Sequence, residues 1–165
     1  MTQVATFIKE MEQEAATTRR MLERVPTDKF GWQPHPKSMT IKQLAGHIAE
    51  LPGWVTLALT TDGLDFAKNE YKVPDVNTTQ EVLDFFEKTY ADGMAHLKKA
   101  TDADLEPTWT LRNGEQVLNV ATKGDTVRVS LNQTTHHRAQ LGVYLRLLNI
   151  PIPGSYGPSA DESWG

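Results

Sequence analysis

Four stretches of this chain repeat their apolar residues every three or four positions, and prolines lie between them. In the first, Val4, Phe7, Ile8, Met11, Ala15, Leu22 and Val25 form one stripe at about 100° per residue, opposite a face of Lys, Glu, Gln and Arg. The spacing predicts an amphipathic helix from about Thr2 to Arg24, stopped by Pro26. A loop punctuated by Gly31, Pro34 and Pro36 runs to Thr40, with Trp32 as its anchor on the helices. The second helix starts near Thr40, with Ser38 or Thr40 as N-cap, and carries Ile41, Leu44, Ile48, Leu51, Val55 and Leu59. Pro52 and Gly53 fall inside that pattern. A kink is expected there, because proline lacks a backbone donor and crowds the preceding turn.

Residues 62–77 are polar and predicted irregular. The third helix opens at Thr78 or Thr79, where T-T-Q-E resembles a capping box, and ends around Ala100. Val82, Phe86, Tyr90 and Leu97 form its stripe, with Phe85 and His96 near the edge. The segment from Thr101 to Gly124 is too long for a minimal turn. Asn113-Gly114 between two partly apolar runs predicts a short β-hairpin within it. The last helix spans about Asp125 to Asn149, and Pro151 and Pro153 stop it. The remainder, 150–165, is an extended tail rich in Pro, Gly and Ser, with Tyr156 and Trp164 expected to pin it to a surface. The fold class is therefore all-α: a single four-helix-bundle domain over 1–165 with a small β-hairpin between the third and fourth helices.

Charge and composition narrow the function. Seventeen basic against 21 acidic residues give a net charge of −4 and a pI near 5.7, which argues against a nucleic-acid partner. The chain has no cysteine, so disulfides, thiolate metal sites and a cysteine nucleophile are all excluded. No apolar run approaches the roughly 20 residues that span a bilayer, and the N-terminus lacks a signal pattern. The expectation is a cytoplasmic protein with no membrane partner. Any metal must be held by nitrogen and oxygen.

Helical phase separates the five histidines. On the second helix, Leu44, Leu51, Trp54 and Ala58 fall within about 60° of His47, so His47 points with the core stripe. An inward imidazole needs a partner, which is either a backbone carbonyl in the core or a ligand. On the last helix, Gln133, Leu141, Tyr144 and Leu148 fall within about 40° of His137, while His136 lies on the flank. Gln133 and His137 are an i, i+4 pair and can reach one point. Two facing helices thus direct His47, His137 and Gln133 toward one region, and imidazoles suit zinc, nickel, copper or iron(II). Glu50 follows His47 by three residues. It can serve as a ligand, as an acceptor for an imidazole N–H, or as a partner for Arg138, or it is a solvated carboxylate. Arg138 either forms a structural ion pair or receives an anionic substrate. His35 and His96 read as surface residues. G-x-S-x-G, P-loop, G-x-G-x-x-G and H-E-x-x-H signatures are absent.

The block LNQTTHHRAQLGVYLRLLNIPIPGSYGPSADE closely resembles the last helix and tail of the DinB/YfiT-like family, bacterial metalloenzymes of the damage-inducible type. The upstream WQPHPKSMTIKQLAGHIAE resembles that family's entry to its second helix, ending near its histidine. The resemblance covers nearly the whole chain. It implies an up–down–down–up four-helix bundle, often a homodimer, and a divalent metal, nickel or zinc, held by three histidines. One of these is His47. The other two come from H-x-x-x-H on the last helix: the second is His137, and the first falls on Gln133, a neutral and weaker ligand. Either Gln133 binds directly, or water or Glu50 fills the gap, or the site holds metal weakly or not at all.

The resemblance also implies a small-molecule substrate and a low-molecular-weight thiol partner such as bacillithiol, mycothiol or glutathione. The expected activity is that of a metal-dependent S-transferase or related hydrolase, with Arg138 and Glu50 as catalytic candidates. The alternatives are a non-catalytic small-ligand or metal-binding bundle, and a helical dimerisation protein whose histidines only bond within the core. The uncovered apolar groups of the tail (Ile150, Ile152, Tyr156, Trp164) fit either a partner subunit or the chain's own bundle.

Overall fold

The structure is a computed structural model and describes residues 2–163. Its helices are α1 (Gln3–Leu22), α2 (Ile41–Glu50), α3 (Gly53–Thr60), α4 (Thr79–Lys99) and α5 (Lys123–Leu147); its strands are β1 (Gly63–Asp65), β2 (Thr108–Asn113) and β3 (Gln116–Thr122). Each long helix starts on a threonine. Thr2, Thr40, Thr78 and Thr122 accept a backbone N–H from the first turn of α1, α2, α4 and α5. Thr40 and Gln43 form a full capping box, as do Thr122 and Asp125, so the last helix begins two residues before its predicted start. Ahead of α4, Glu81 reaches one residue further back than a capping box requires and accepts from the Asn77 N–H at 2.8 Å.

The second predicted helix divides into α2 and α3 at Leu51-Pro52. Side chains of neighbouring helices bond to backbone carbonyls on either side of the break. Thr89 of α4 donates to the Ala49 oxygen at 2.6 Å, and Ser130 of α5 donates to the Leu51 oxygen at 2.7 Å. The close approach needs Gly93, where a Cβ would lie 2.4 Å from the Pro52 oxygen.

Contacts along the helices fix the topology. Arg19 pairs with Glu87 while Met11 lies beside Gly93, so α1 and α4 are antiparallel. Glu10 meets Arg128 and Met21 lies beside Gly142, so α1 and α5 are parallel. Thr89 meets Ala49 and Asp92 meets Thr56, so α4 runs parallel to α2 and α3. His47 meets His137 and Leu51 meets Ser130, so α5 runs antiparallel to α2 and α3. The bundle is up–down–down–up, with α1 diagonal to the broken helix. Its core has two lobes. One is centred on Leu22, Leu44, Ile48, Phe86 and Leu141, the other on Phe7, Met11, Val55, Leu97 and Leu131. Trp32 packs edge-on to Tyr144 at 5.7 Å beside the first lobe.

The hairpin forms as predicted, but its two-residue turn is Gly114-Glu115, with Gly114 at φ 59°. The irregular segment contributes an unpredicted third strand: β1 pairs parallel to β2, Gly63 opposite Thr110. Three residues with no alternation carry no strand signal. The pairing rests on the Thr110 N–H bonded to the Asp62 oxygen and on buried Trp109, whose indole N–H donates to Thr61 at 3.1 Å.

The tail wraps its own bundle. Ile150 and Ile152 pack against the first lobe, Asp161 pairs with Arg146, and Glu162 pairs with Arg20 and Arg24. Tyr156 anchors it through hydrogen bonds to Glu14 and Arg138; Trp164 lies outside the described residues. No helix among the described residues is long and apolar enough to cross a membrane.

Candidate metal centre

His47 sits on α2 one turn before the break, and Glu50 ends that helix. The two side chains are 17% and 15% exposed, and His47 Nδ1 lies 2.5 Å from Glu50 Oε1. The Tyr71 hydroxyl, from the loop between β1 and α4, donates to the same oxygen at 2.7 Å. Partial burial and that bond to a carboxylate push the Tyr71 phenol well above its ordinary value, so it stays a donor.

His137 faces His47 across the α2–α5 seam, the ring centroids 4.5 Å apart and the planes at 81°. Its Nδ1 pairs with Gln140 Oε1 at 3.0 Å, and Gln140 Nε2 lies 3.2 Å from His136 Nε2. The His136 and His137 rings are 4.8 Å apart. Burial holds His137 below the usual histidine value. Its bond to Gln140 opposes this, and the neighbouring His47 and His136 add to it. The neutral ring is the form that ligates metals.

The structure thus brings together His47, Glu50 and His137. Gln133 lies one turn before His137, half-buried, in a shallow depression walled by Val129, Asn132 and His136. Its side chain has no hydrogen-bond partner among the described residues. Arg138 does not join the imidazoles. It is 2% exposed, and its Nη1 donates to the Glu14 carbonyl at 3.2 Å and to Thr18 Oγ1 at 3.0 Å. Nη2 donates to the Tyr156 hydroxyl at 3.0 Å. Glu14 Oε2 lies 2.6 Å from Nη1 as an ion contact without a directed hydrogen bond, because the hydrogens of Nη1 point elsewhere. Of the two readings open for Arg138, the structure has the ion pair, and Glu50 bonds to His47 rather than to Arg138.

Sequence reasoning passed over Gln140, which its i+3 spacing from His137 makes visible, and Tyr71, which lies in a loop without any signal.

The donor chemistry suits a borderline divalent cation. Both imidazoles have Nδ1 engaged by an acceptor side chain, Glu50 and Gln140, which is the outer-shell pattern of metal-binding histidines. At metal–nitrogen distances of about 2.0–2.1 Å, two imidazoles in adjacent positions on one ion stand on the order of 4.5–5 Å apart, matching the separation here. The set is lean: among the described residues no group of three or more His, Cys, Asp or Glu side chains is placed to hold a metal.

A family model described as DinB family matches residues 1–164. The chain is similar to the uncharacterized protein YrdA of Bacillus subtilis, 24% identical over 160 residues, covering 94% of this chain and 89% of that protein. Among solved structures it resembles a DinB-like protein from Bacillus cereus (TM-score 0.73, 20% identity, 94% of this chain and 100% of the other). It also resembles Bacillus subtilis YfiT, described as a probable metal-dependent hydrolase with an unusual four-helix bundle topology (TM-score 0.66, 16% identity, 88% and 87%). A third is a mycothiol-dependent maleylpyruvate isomerase (TM-score 0.61, 12% identity, 86% of this chain and 63% of that one).

Proposed function

The chain belongs to the DinB family, and on that premise we propose that it is a metal-dependent enzyme acting on a small molecule, with hydrolysis or thiol-dependent transfer as the reaction class. His47 and His137 hold the ion, Gln133 is the third protein donor, and nickel or zinc, the metals that the family resemblance implies, are among those that imidazole donors suit. The observation that carries this reading is the pair of facing imidazoles, each with its Nδ1 engaged by an acceptor, Glu50 or Gln140. The descriptions of YfiT as a probable metal-dependent hydrolase and of the isomerase as mycothiol-dependent support the reaction classes.

A bound divalent ion supplies Lewis acidity, polarising a carbonyl and lowering the pKa of a water or thiol toward neutrality. The protein's part is positioning. Glu50 accepts a hydrogen bond from His47 Nδ1–H and fixes its tautomer, so that the Nε2 lone pair is free to ligate. Tyr71 gives Glu50 a second hydrogen-bond donor and holds the carboxylate in place. Gln140 fixes His137 in the same way from the α5 side.

The test is elemental analysis and calorimetric titration with nickel and zinc, on untagged protein and on His47→Ala and His137→Ala. Wild type is expected to bind close to one ion per chain and each variant to lose it. Equal, near-zero binding in all three removes the reading. Turnover with thiol donors against plain hydrolysis of ester and amide substrates then separates the two reaction classes.

A further inference from the structure

Gln140 joins two imidazoles. It follows His136 by four residues and His137 by three, so both rings lie one turn before it on α5 and its amide sits between them. The carbonyl end meets His137 Nδ1 at 3.0 Å, and the amino end meets His136 Nε2 at 3.2 Å. The two rings are 4.8 Å apart with their planes at 71°, and the amide is the hydrogen-bonded link between them. His136 and Gln140 are exposed, while His137 is half-buried against His47. The chain His136–Gln140–His137 therefore runs from the surface to the candidate metal centre.

An amide can stand either way round, and here each way dictates two tautomers. In the structure the carbonyl accepts from His137 Nδ1–H, which leaves a lone pair on His137 Nε2. The amino group donates to His136 Nε2, which needs a lone pair there and puts the His136 proton on Nδ1. Turned over, the amide presents N–H to His137 Nδ1. The proton of that ring then sits on Nε2, and His136 has to donate from its own Nε2. Both arrangements are fully hydrogen-bonded, so the two rings share one tautomeric state without any change of charge. Glu50, which does the same work for His47, has no reverse, because a carboxylate offers only acceptors. We propose that His136 is a positioning residue of the metal site, coupled through Gln140 to the proton on His137. With its proton on Nδ1, His136 leaves His137 Nε2 free to ligate; with its proton on Nε2, it blocks that atom. The coupling runs both ways, so a surface group that accepts from His136 Nδ1 favours a site ready for metal. The use made of the Nε2 lone pair rests on the metal reading, whereas the coupling of the two rings does not.

Long-range nitrogen–proton correlation spectra of the metal-free full chain, at about pH 8.5 where imidazoles are uncharged, show which nitrogen of each ring holds the proton. Wild type is expected to carry it on Nδ1 in both His136 and His137. His136→Lys offers donors only, so it should turn the amide over and move the His137 proton to Nε2. In the Gln140→Glu background, which has no donor end, the same substitution should leave the His137 proton on Nδ1. Zinc affinity, read by calorimetric titration, should fall about tenfold in His136→Lys. Asn132→Lys is the control for charge: residue 132 stands to Gln133 as His136 stands to His137, and it lies about two turns before Gln140. It should cost less than about threefold, since exposed charges are screened. An unchanged His137 tautomer in His136→Lys overturns the coupling, and so do equal affinity losses in the two lysine variants. A wild type that binds no zinc while the His137 tautomer still follows residue 136 overturns the metal reading and leaves the coupling standing.

Discussion

Glu14 of α1 and Arg138 of α5 meet 2.6 Å apart inside the bundle, although they stand 124 positions apart in the chain. The guanidinium is also committed to Thr18 and to Tyr156 of the tail, so one buried cation ties together the first helix, the last helix and the C-terminal arm. Removing one member leaves the other buried and unpaired, at about 3–5 kcal/mol. Arg138→Met is expected to lose that much in urea denaturation. The double variant Glu14→Leu, Arg138→Met should recover most of it, because no orphan charge remains. A single variant with an unchanged midpoint would show that the pair does not hold the helices together.

Glu50 touches His47 and Tyr71 and lies beside the α2–α5 seam of the proposed metal site. Glu50→Gln keeps the shape but weakens the hold on the Nδ1 proton. Outer-shell changes of this kind cost on the order of 10–100-fold in metal affinity, and Tyr71→Phe should cost less because it acts through Glu50. Competition with a chromogenic chelator reads both, and an affinity unchanged in Glu50→Gln would assign the carboxylate a purely structural part.

Asp102, in the turn that follows α4, accepts the backbone N–H groups of Gln3 and Val4 at 3.0 and 2.9 Å and so closes the first turn of α1 from a distance. Those two bonds, Val4 first, hold its carboxyl below the ordinary carboxylate range. The folded value lies below the unfolded one. The stability it brings is therefore complete above about pH 4 and is lost as pH falls through the folded value. Asp102→Asn should lower the melting temperature at pH 7, and the gap to wild type should narrow as pH falls below about 4. A gap independent of pH would disconnect the carboxylate's charge from the effect.

Gly93→Ala drives a Cβ to 2.4 Å from the Pro52 oxygen, with backbone on the far side rather than a flexible side chain. Helix propensity alone favours alanine. The clash should win, at about 1–3 kcal/mol of lost stability. A melting temperature above wild type would mean that α4 moves away from the break at little cost.

Much of this was legible in the chain. Periodicity located the four stripes, Pro52 located the break, and phase turned His47 and His137 toward each other, because each signal lies within a few residues of its effect. Glu14 carried a signal that was not followed. It stands three residues after Met11 and seven after Phe7, on the apolar stripe, and a carboxylate there demands a buried cation. What phase could not give was height along the axis, so the choice between an ion pair and a substrate contact for Arg138 had to wait for the structure. Nor could it find β1, whose three residues pair only because Trp109 and Asp62 hold β2 beside them.

The diagonal placement of α1 has a consequence for how the chain is made. Its apolar stripe is covered by α4 and α5, not by the helix that follows it, so its partners begin at Thr79 and end at Leu147. At about 5–20 residues per second of synthesis, the first helix leaves the ribosome with Phe7, Met11 and Leu22 uncovered for several seconds and reaches its final neighbours only when nearly the whole chain has emerged. Helical hairpins cannot zip up in order from the N-terminus. The bundle closes late, and the exposed stripe of α1 is the segment on which a chaperone has longest to act.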